Sequence, residues 1–203
     1  MIRVVAFDIG KVLLDFDYGI FVNRMAPRTN MGESALNTYL NQSPLLAKYE
    51  SGQISSSEFT KIVQQETGFE GLESEFADFF EEIFTPISDV IEMHRVIAEG
   101  GMATYTFSNT NEMAVRHMSR AYDFWPRFDG HVLSYEVEAL KPETKMYEFL
   151  ERIAGCHGGE IVYVDDRPEN IEAGRARGWK VIQQHTPEET RLALVDFGVL
   201  ATA

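Results

Sequence analysis

The chain has little cysteine, few basic residues and no long apolar run, and each shortage removes a class of protein. Its single cysteine, Cys156, cannot form an internal disulfide, which fits a reducing compartment. Lys and Arg number 18 against 32 Asp and Glu, and the resulting net charge of -14 argues against binding nucleic acid or an anionic membrane. No apolar stretch approaches the roughly 18 residues of a membrane-spanning helix. We therefore expect a small-molecule partner, with no nucleic acid and no membrane.

The start of the chain and its length bound the organisation. The apolar N-terminus is interrupted by Arg3 and Asp8 and has no small-residue cleavage site, so it predicts a strand and not a signal peptide. We expect a cytoplasmic protein. With 203 residues, of which 44% are hydrophobic, the chain can bury one ordinary core and a modest insertion. The sequence gives no indication of the oligomeric state.

Apolar runs of strand length recur along the chain, with helical patterns between them. They lie at residues 2–7, 102–107, 132–135, 161–164 and 179–182. Strands without a polar side are typical of a sheet that helices cover on both faces. The pattern predicts an α/β fold with a doubly wound, Rossmann-like parallel sheet of about five strands. Gly10 is expected to allow a tight turn after the first strand.

Residues 17–84 contain helical patterns and no strand candidate. Apolar spacing predicts helices at 18–25, 35–40 and 72–84, and Ser55 followed by Glu58 is a capping-box pattern that opens a helix at 59–63. The core resumes at Pro86, and Ser88 is the expected cap of its next helix. We therefore predict a core domain of residues 1–15 and 86–203, with a helical bundle cap of residues 16–85 inserted after the first strand.

Polar side chains follow four of the predicted strands: Asp8, Ser108 with Asn109, Lys141, and the pair Asp165 and Asp166. All strands of a parallel sheet end at one edge, where ligands bind in open α/β folds. We therefore expect these groups to converge on one crevice. A carboxylate, a hydroxyl, an ammonium and a carboxylate pair form a set suited to a phosphate with a divalent cation.

Each group has a chemical role and a simpler explanation. Asp8 could be a nucleophile, a metal ligand or both, or only a cap at a strand end. Asp165 and Asp166 are adjacent, so both are hard to keep ionised without a cation or strong donors, although such pairs also occur in solvated turns. Mg²⁺, which binds one or two carboxylates with waters and substrate phosphate, fits this set.

The hydroxyl and ammonium groups can be interpreted in the same two ways. Ser108 and Asn109 run from a strand end into a helix start, where hydroxyls and free N–H groups bind an anion or simply cap the helix. Lys141 precedes Pro142, so it lies in an extended or turn conformation before a helix. Its ammonium can neutralise a phosphoryl oxygen, or it can be an ordinary surface lysine.

Taken in chain order, these groups lie in four motifs: Phe7-Asp8-Ile9-Gly10-Lys11-Val12-Leu13, Phe107-Ser108-Asn109, Leu140-Lys141-Pro142, and Tyr163-Val164-Asp165-Asp166 with Asn170 following. The set resembles the motifs of the haloacid dehalogenase superfamily and covers the chain outside the helical insertion. The position of that insertion resembles the superfamily's type 1 cap. The first motif is similar to the branch that includes bacterial α-glucose-1-phosphatase and the N-terminal phosphatase domain of soluble epoxide hydrolases.

The resemblance implies a role for each group. Asp8 would attack phosphorus and form an aspartyl-phosphate that water later hydrolyses. Ser108 and the Asn109 amide would bind phosphoryl oxygens, and Lys141 would pair with both Asp8 and the phosphate. The implied ligands of Mg²⁺ are Asp8, the main-chain carbonyl of Gly10, and Asp165 or Asp166.

Gly10 is a departure from the resemblance. Most phosphatases of the superfamily carry an aspartate two residues after the nucleophile, as the acid that protonates the leaving oxygen. General acid-base help is worth about 100- to 10,000-fold in rate. The chain should therefore favour easy leaving groups, turn over slowly or use another acid. Four residues could substitute, and the sequence does not choose among them: Lys11, Lys48, Tyr49 and Glu50.

The function predicted is a Mg²⁺-dependent phosphatase acting on a small phosphorylated metabolite, most plausibly a sugar phosphate. An alternative is a phosphate-ligand-binding protein with weak or lost catalysis, because of Gly10. A metal-independent 2-haloacid dehalogenase is disfavoured, since Asp165 and Asp166 would have no cation to hold. A signalling receiver is excluded by the order of the motifs. In a receiver the acidic pair follows the first strand, whereas here it follows the fourth predicted strand.

Overall fold

The structure is a computed structural model, and it describes residues 1–81 and 83–202, without the side chains of Asn41 and Gln42. The strands are β1 (Val4–Phe7), β2 (Leu14–Phe16), β3 (Phe84–Pro86), β4 (Ala103–Ser108), β5 (Gly130–Leu133), β6 (Ile161–Asp165) and β7 (Lys180–Gln183). Five of them form one parallel sheet in the order β5-β4-β1-β6-β7. This sheet and its flanking helices confirm the predicted α/β fold.

Helices occupy most of the rest of the described chain. Their bounds are α1 (Tyr18–Met25), α2 (Glu33–Gln42), α3 (Pro44–Glu50), α4 (Ser56–Thr67), α5 (Glu73–Glu81), α6 (Ser88–Glu99), α7 (Glu112–Ala121), α8 (Ser134–Val137), α9 (Thr144–Ala154), α10 (Pro168–Ala176) and α11 (Pro187–Asp196). None of these helices is both long and apolar enough to cross a membrane.

The central strand β1 is buried on both faces, which explains its unbroken apolar sequence. Val5 and Phe7 belong to one hydrophobic cluster with side chains of α6, α7 and α11. Val4 and Ala6 belong to a second cluster, with side chains of α9 and α10. Because side chains alternate along a strand, these two clusters are the two layers of a doubly wound sheet.

Helices α1 to α5 share a third hydrophobic cluster, in which rings of Phe21, Phe59, Phe76 and Phe80 pack together. The capping box predicted at Ser55 and Glu58 is present and opens α4, which runs on to Thr67. Where the chain leaves the main sheet and where it returns, β2 and β3 pair antiparallel, with Phe16 opposite Phe84. The sequence patterns missed both strands, because three residues are too few to show an alternating pattern.

Several predicted details were wrong. Helix α6 begins at Ser88 and its cap position is Ile87, so Ser88 is not a cap. The left-handed residue in the turn after β1 is Lys11, with φ of 58°, and Gly10 lies outside that region. Strand β5 begins two residues before the predicted run, since its first residues, Gly130 and His131, are not apolar. Helix α3 was missed, because seven residues opened by Pro44 show less than two full turns of periodicity.

Candidate active site

The predicted side chains meet at the carboxyl edge of the main sheet. Asp8 follows β1, Ser108 ends β4 and Asp165 ends β6, and these three strands are neighbours. Lys141 lies among them: its Nζ is 3.1 Å from Asp8 Oδ1 and 2.6 Å from Asp165 Oδ2. The Lys141 side chain is 1% exposed and that of Asp165 is fully buried. The lysine is therefore the counterion of two buried carboxylates and not a surface residue.

Hydrogen bonds with two further residues orient Lys141. Its Nζ donates to the main-chain oxygen of Phe107, at 2.8 Å. The Asn109 side chain bonds the lysine main chain in both directions, with Oδ1 accepting from Lys141 N (2.7 Å) and Nδ2 donating to Lys141 O (3.0 Å). The side chain of Asn109 therefore positions the lysine, and this amide is already occupied.

Asp165 is surrounded by donors besides the lysine. It accepts hydrogen bonds from the Tyr163 hydroxyl, from Arg167 N (2.8 Å) and from Asn170 Nδ2 (3.1 Å). Burial acts to raise the pKa of Asp165, but Lys141, the Tyr163 hydroxyl and Arg167 N outweigh burial and hold the pKa below its usual value. The sequence reasoning did not assign a site role to Tyr163, Arg167 or Asn170. Tyr163 and Asn170 have a place in the fourth motif, whereas Arg167 has none.

The pKa of Asp8, the candidate nucleophile, is raised, in contrast to that of Asp165. Burial raises the pKa of its carboxyl, Lys141 counteracts this, and the Asp165 charge adds to the rise. The Ser108 hydroxyl and Ile9 N, which donates to Asp8 Oδ1 at 2.7 Å, stabilise the ionised form. Burial alone would lower the pKa of Lys141, yet the two carboxylates raise it. One ammonium thus serves two carboxylates, and a further cation would help to keep Asp8 ionised.

The acidic cluster fits a hard divalent cation. Asp8, Asp165 and Asp166 each offer a carboxylate oxygen, and these oxygens lie within 4.8 Å of one another. Burial, and then the Asp165 charge, raise the pKa of Asp166, as expected for carboxylates that are crowded together. Oxygen donors of this kind suit Mg²⁺. Gly10 lines the same cavity, and its main-chain carbonyl as a ligand stays a prediction.

A cavity of about 280 Å³ lies over these groups. Asp8, Lys141 and Asp166 lie in the part of the lining that the sheet edge supplies, and Tyr18, Leu46 and Glu50 come from α1 and α3. A second, smaller cavity of about 80 Å³ shares part of this lining, including Gly10, Glu50 and Asn109. Four aromatic residues also line it: Phe16, Tyr18, Phe80 and Phe84. A larger, open groove of about 600 Å³ lies between α6 and α11, but its lining contains none of the groups described above.

Gly10 has a neighbour that limits what can replace it. A Cβ atom built on Gly10 would lie 2.9 Å from Cε1 of Phe16. The Phe16 ring packs edge-on against the ring of Tyr18, with 5.4 Å between centroids. The space that a side chain at position 10 would need is therefore filled by an aromatic ring of β2.

Comparisons with known proteins identify the family. A family model described as haloacid dehalogenase-like hydrolase matches residues 6–183. Because the match spans most of the chain, the protein belongs to the haloacid dehalogenase-like hydrolase family. This confirms the membership predicted from the four motifs and makes the protein a hydrolase of that family. The narrower resemblance to the α-glucose-1-phosphatase branch stays a prediction.

Individual relatives are distant but cover most of the chain. A D-ribitol-5-phosphate phosphatase of Bacteroides thetaiotaomicron is 24% identical over 208 residues, covering 96% of this chain and 97% of its own. A sesquiterpene phosphatase of Aspergillus oryzae is 25% identical and covers 87% of this chain and 86% of its own. A haloacid dehalogenase family enzyme of Bacteroides thetaiotaomicron, solved with magnesium and inorganic phosphate, superposes with a TM-score of 0.79. At 18% identity, covering 90% of this chain and 94% of its own, that structure supports the fold.

Proposed function

We propose that this protein is a Mg²⁺-dependent phosphatase that hydrolyses a small phosphorylated metabolite. The observation that carries the proposal is a buried Asp8 carboxylate, 3.1 Å from the Lys141 ammonium and beside two more carboxylates, at the base of a cavity of about 280 Å³. The distant relatives that act on phosphate esters support the same activity.

We assign the nucleophilic role to Asp8. Its carboxylate attacks phosphorus and forms an aspartyl-phosphate, and water then hydrolyses this intermediate. Lys141 favours the ionised form of Asp8 and carries positive charge to the phosphoryl oxygens. The Ser108 hydroxyl and the main-chain N–H of Asn109 bind phosphoryl oxygens. The Asn109 side chain is not assigned this role, because it already bonds the main chain of Lys141.

The Mg²⁺ ligands in this proposal are Asp8, the Gly10 carbonyl and one member of the acidic pair. The oxygens of Asp165 already accept bonds from Lys141, Tyr163 and Arg167 N. We therefore assign the direct ligand to Asp166, whereas Asp165 holds the lysine in place. When bound, Mg²⁺ would neutralise charge on the phosphoryl group.

Residues 16–85 form the cap in this proposal, and residues 1–15 and 86–203 form the core. Tyr18, Leu46 and Glu50 reach the cavity from the cap side, so the leaving group would meet cap residues while the phosphoryl group meets the sheet edge. Enclosure of the substrate between the two parts excludes bulk water.

We propose a sugar or polyol phosphate as the substrate. The cavity is small, and Lys11, Glu50 and Arg167 in its lining supply charged partners for hydroxyl groups. A cavity of about 280 Å³ is near the lower end of the pocket range of about 300 to 1,000 Å³, which fits a small leaving group. The second candidate is a phosphate-binding protein with weak or lost catalysis, which the absence of an acid at Gly10 favours.

Release of phosphate from p-nitrophenyl phosphate, with and without Mg²⁺, tests the proposal. The wild type should release phosphate only with Mg²⁺, and Asp8→Asn should abolish release. Asp78→Asn, which changes an exposed carboxylate on α5, is the matched control and should behave as the wild type. Full activity of Asp8→Asn would rule out the covalent route. A wild type that binds inorganic phosphate but releases none would favour the second candidate.

A further inference from the structure

The acid that protonates the leaving oxygen has to come from outside position 10. Phe16 fills the space beside Gly10, so the part of the site that follows the nucleophile carries no acid. A phosphatase at this site still needs a proton donor for leaving groups that are poor, since an alkoxide leaves slowly without one. This question rests on the proposed phosphatase function.

The structure separates the four residues that the sequence left open. The Lys11 ammonium pairs with Asp15 and lies 4.8 Å from the centre of the Phe16 ring. Lys48 is exposed on α3. The Tyr49 hydroxyl is buried in the third cluster, where it bonds Ser56 Oγ at 2.7 Å and accepts from Met113 N at 3.2 Å.

Glu50 is the remaining candidate, and it lines both cavities described above. It is the last residue of α3 and is half-buried. It therefore lies beside both the larger cavity, which Asp8 also lines, and the smaller one. Glu50 lines the larger cavity from α3, on the cap side, whereas Asp8, Lys141 and Asp166 line it from the sheet edge. With the phosphoryl group at the sheet edge, the leaving group would lie on the side of Glu50.

The backbone of Glu50 is tied to the same edge of the sheet. The Ser134 hydroxyl donates to the Glu50 carbonyl oxygen, at 2.5 Å, and accepts from Thr110 N, at 2.9 Å. Thr110 comes two residues after Ser108. Just beyond Glu50, Gly52 packs so tightly on Tyr135 that an added Cβ would lie 2.2 Å from the Tyr135 carbonyl oxygen. The end of α3 is thus fixed to the start of α8 and, through Ser134, to the loop that follows Ser108.

We propose that Glu50 is the general acid and base of this site. In the first step an Asp8 oxygen bonds to phosphorus while the ester P–O bond breaks, and the Glu50 carboxyl gives its proton to the leaving oxygen. In the second step water bonds to phosphorus and gives one proton to the Glu50 carboxylate. The bond between Asp8 and phosphorus breaks, inorganic phosphate leaves, and both carboxyl groups return to their starting states.

The surroundings of Glu50 suit a proton donor near neutral pH. Burial raises the pKa of Glu50 to about 7, against the opposing effect of the Arg167 charge. The other titratable groups that share its cavities are Asp8, Lys11, Tyr18, Lys141 and Asp166. A catalytic acid works best when its pKa lies near the working pH.

The test compares Glu50→Gln with the wild type on two esters that differ in leaving group. p-Nitrophenol leaves easily, and phenol, whose pKa is about 10 like that of tyrosine, leaves poorly. The quantity kcat/KM reports transfer of the phosphoryl group to Asp8. We expect Glu50→Gln to lower kcat/KM by about 100-fold or more on phenyl phosphate, and by no more than a few-fold on p-nitrophenyl phosphate. Glu50→Asp should recover part of the loss.

Two further readouts separate an acid-base role from a structural one. The kcat/KM of the wild type on phenyl phosphate should fall as the pH rises through about 7. The pH profile of Glu50→Gln should not show this fall. Because the second step lacks its base, Glu50→Gln should also release a burst of p-nitrophenol and then turn over slowly. Glu33→Gln, on the exposed start of α2, is the matched control.

Equal losses of kcat/KM on both esters, or no loss on either, would overturn the assignment of Glu50. Neither result would touch the proposed phosphatase function, which stands or falls on release of p-nitrophenol by the wild type and on its loss in Asp8→Asn.

Discussion

The ring of Phe16 occupies the space into which a side chain on Gly10 would project, with 2.9 Å between the added Cβ and Cε1 of the ring. Phe16 lies in β2, where it pairs with Phe84 of β3. The packing of Phe16 therefore leaves no room for an acidic side chain at position 10. Introducing one would also require a change at Phe16.

Gly10→Ala should lower the free energy of unfolding by about 1 to 3 kcal/mol, the usual cost of overpacking. The backbone at Gly10 is not left-handed, so the cost should come from Phe16 alone. In a Phe16→Ala background the same change should cost little. Denaturant unfolding of the two single variants and the double variant measures the coupling. An equal cost of Gly10→Ala in both backgrounds would contradict the steric explanation.

Lys141→Met should destabilise the fold by about 3 kcal/mol at pH 8, because it leaves Asp8 and Asp165 as buried charges without their partner. The loss should be smaller at pH 5. Without the lysine the pKa values of both carboxyls rise, so at low pH they are neutral in the folded state. Urea unfolding at the two pH values is the measurement. Lys61→Met, on the exposed face of α4, should cost little at either pH.

Glu50→Gln should stabilise the protein above pH 7 while slowing its chemistry. The pKa of Glu50 is raised from 4.5 to about 7 in the folded state, so folding binds its proton more tightly. The contribution of Glu50 to the free energy of unfolding is fully present below about pH 4.5 and is lost as the pH rises to about 7. Thermal unfolding of the variant should therefore lie above that of the wild type at pH 8 and level with it at pH 4.5. A lower melting temperature for Glu50→Gln at pH 8 would mean that its ionised carboxylate stabilises the fold.

Mg²⁺ should raise the melting temperature of the wild type, because binding to the folded state alone stabilises it by about 2.7 kcal/mol at 100 times the dissociation constant. Asp166→Asn should remove most of this shift, since it deletes the carboxylate that we propose as a direct ligand. Asp78→Asn should keep the shift. Thermal unfolding at a series of Mg²⁺ concentrations measures the shift. An unchanged shift in Asp166→Asn would contradict the assignment of Asp166 as the direct ligand.

Sequence patterns predicted the convergence of Asp8, Ser108, Lys141 and Asp165, because a parallel sheet brings the ends of its strands to one edge. They could not show that the Tyr163 hydroxyl bonds Asp165, since Tyr163 lies inside an apolar run that reads as core. Local patterns carry no information on how far a side chain reaches past its own strand.

The choice of Glu50 among four candidates was also beyond the sequence. The position of Glu50 beside the cavity depends on α3, which was missed. It also depends on the bond between Ser134 and the Glu50 carbonyl, which joins residues 84 positions apart. The two short strands β2 and β3 were missed for a similar reason, as their pairing depends on where the chain leaves and rejoins the core.

The most direct test of the account is rapid-quench mass spectrometry of the wild type mixed with p-nitrophenyl phosphate and Mg²⁺. We predict a transient phosphoryl adduct on the peptide that contains Asp8, and none in Asp8→Asn treated in the same way. An adduct on another residue, or full turnover by Asp8→Asn, would contradict the central claim that Asp8 is the phosphoryl acceptor.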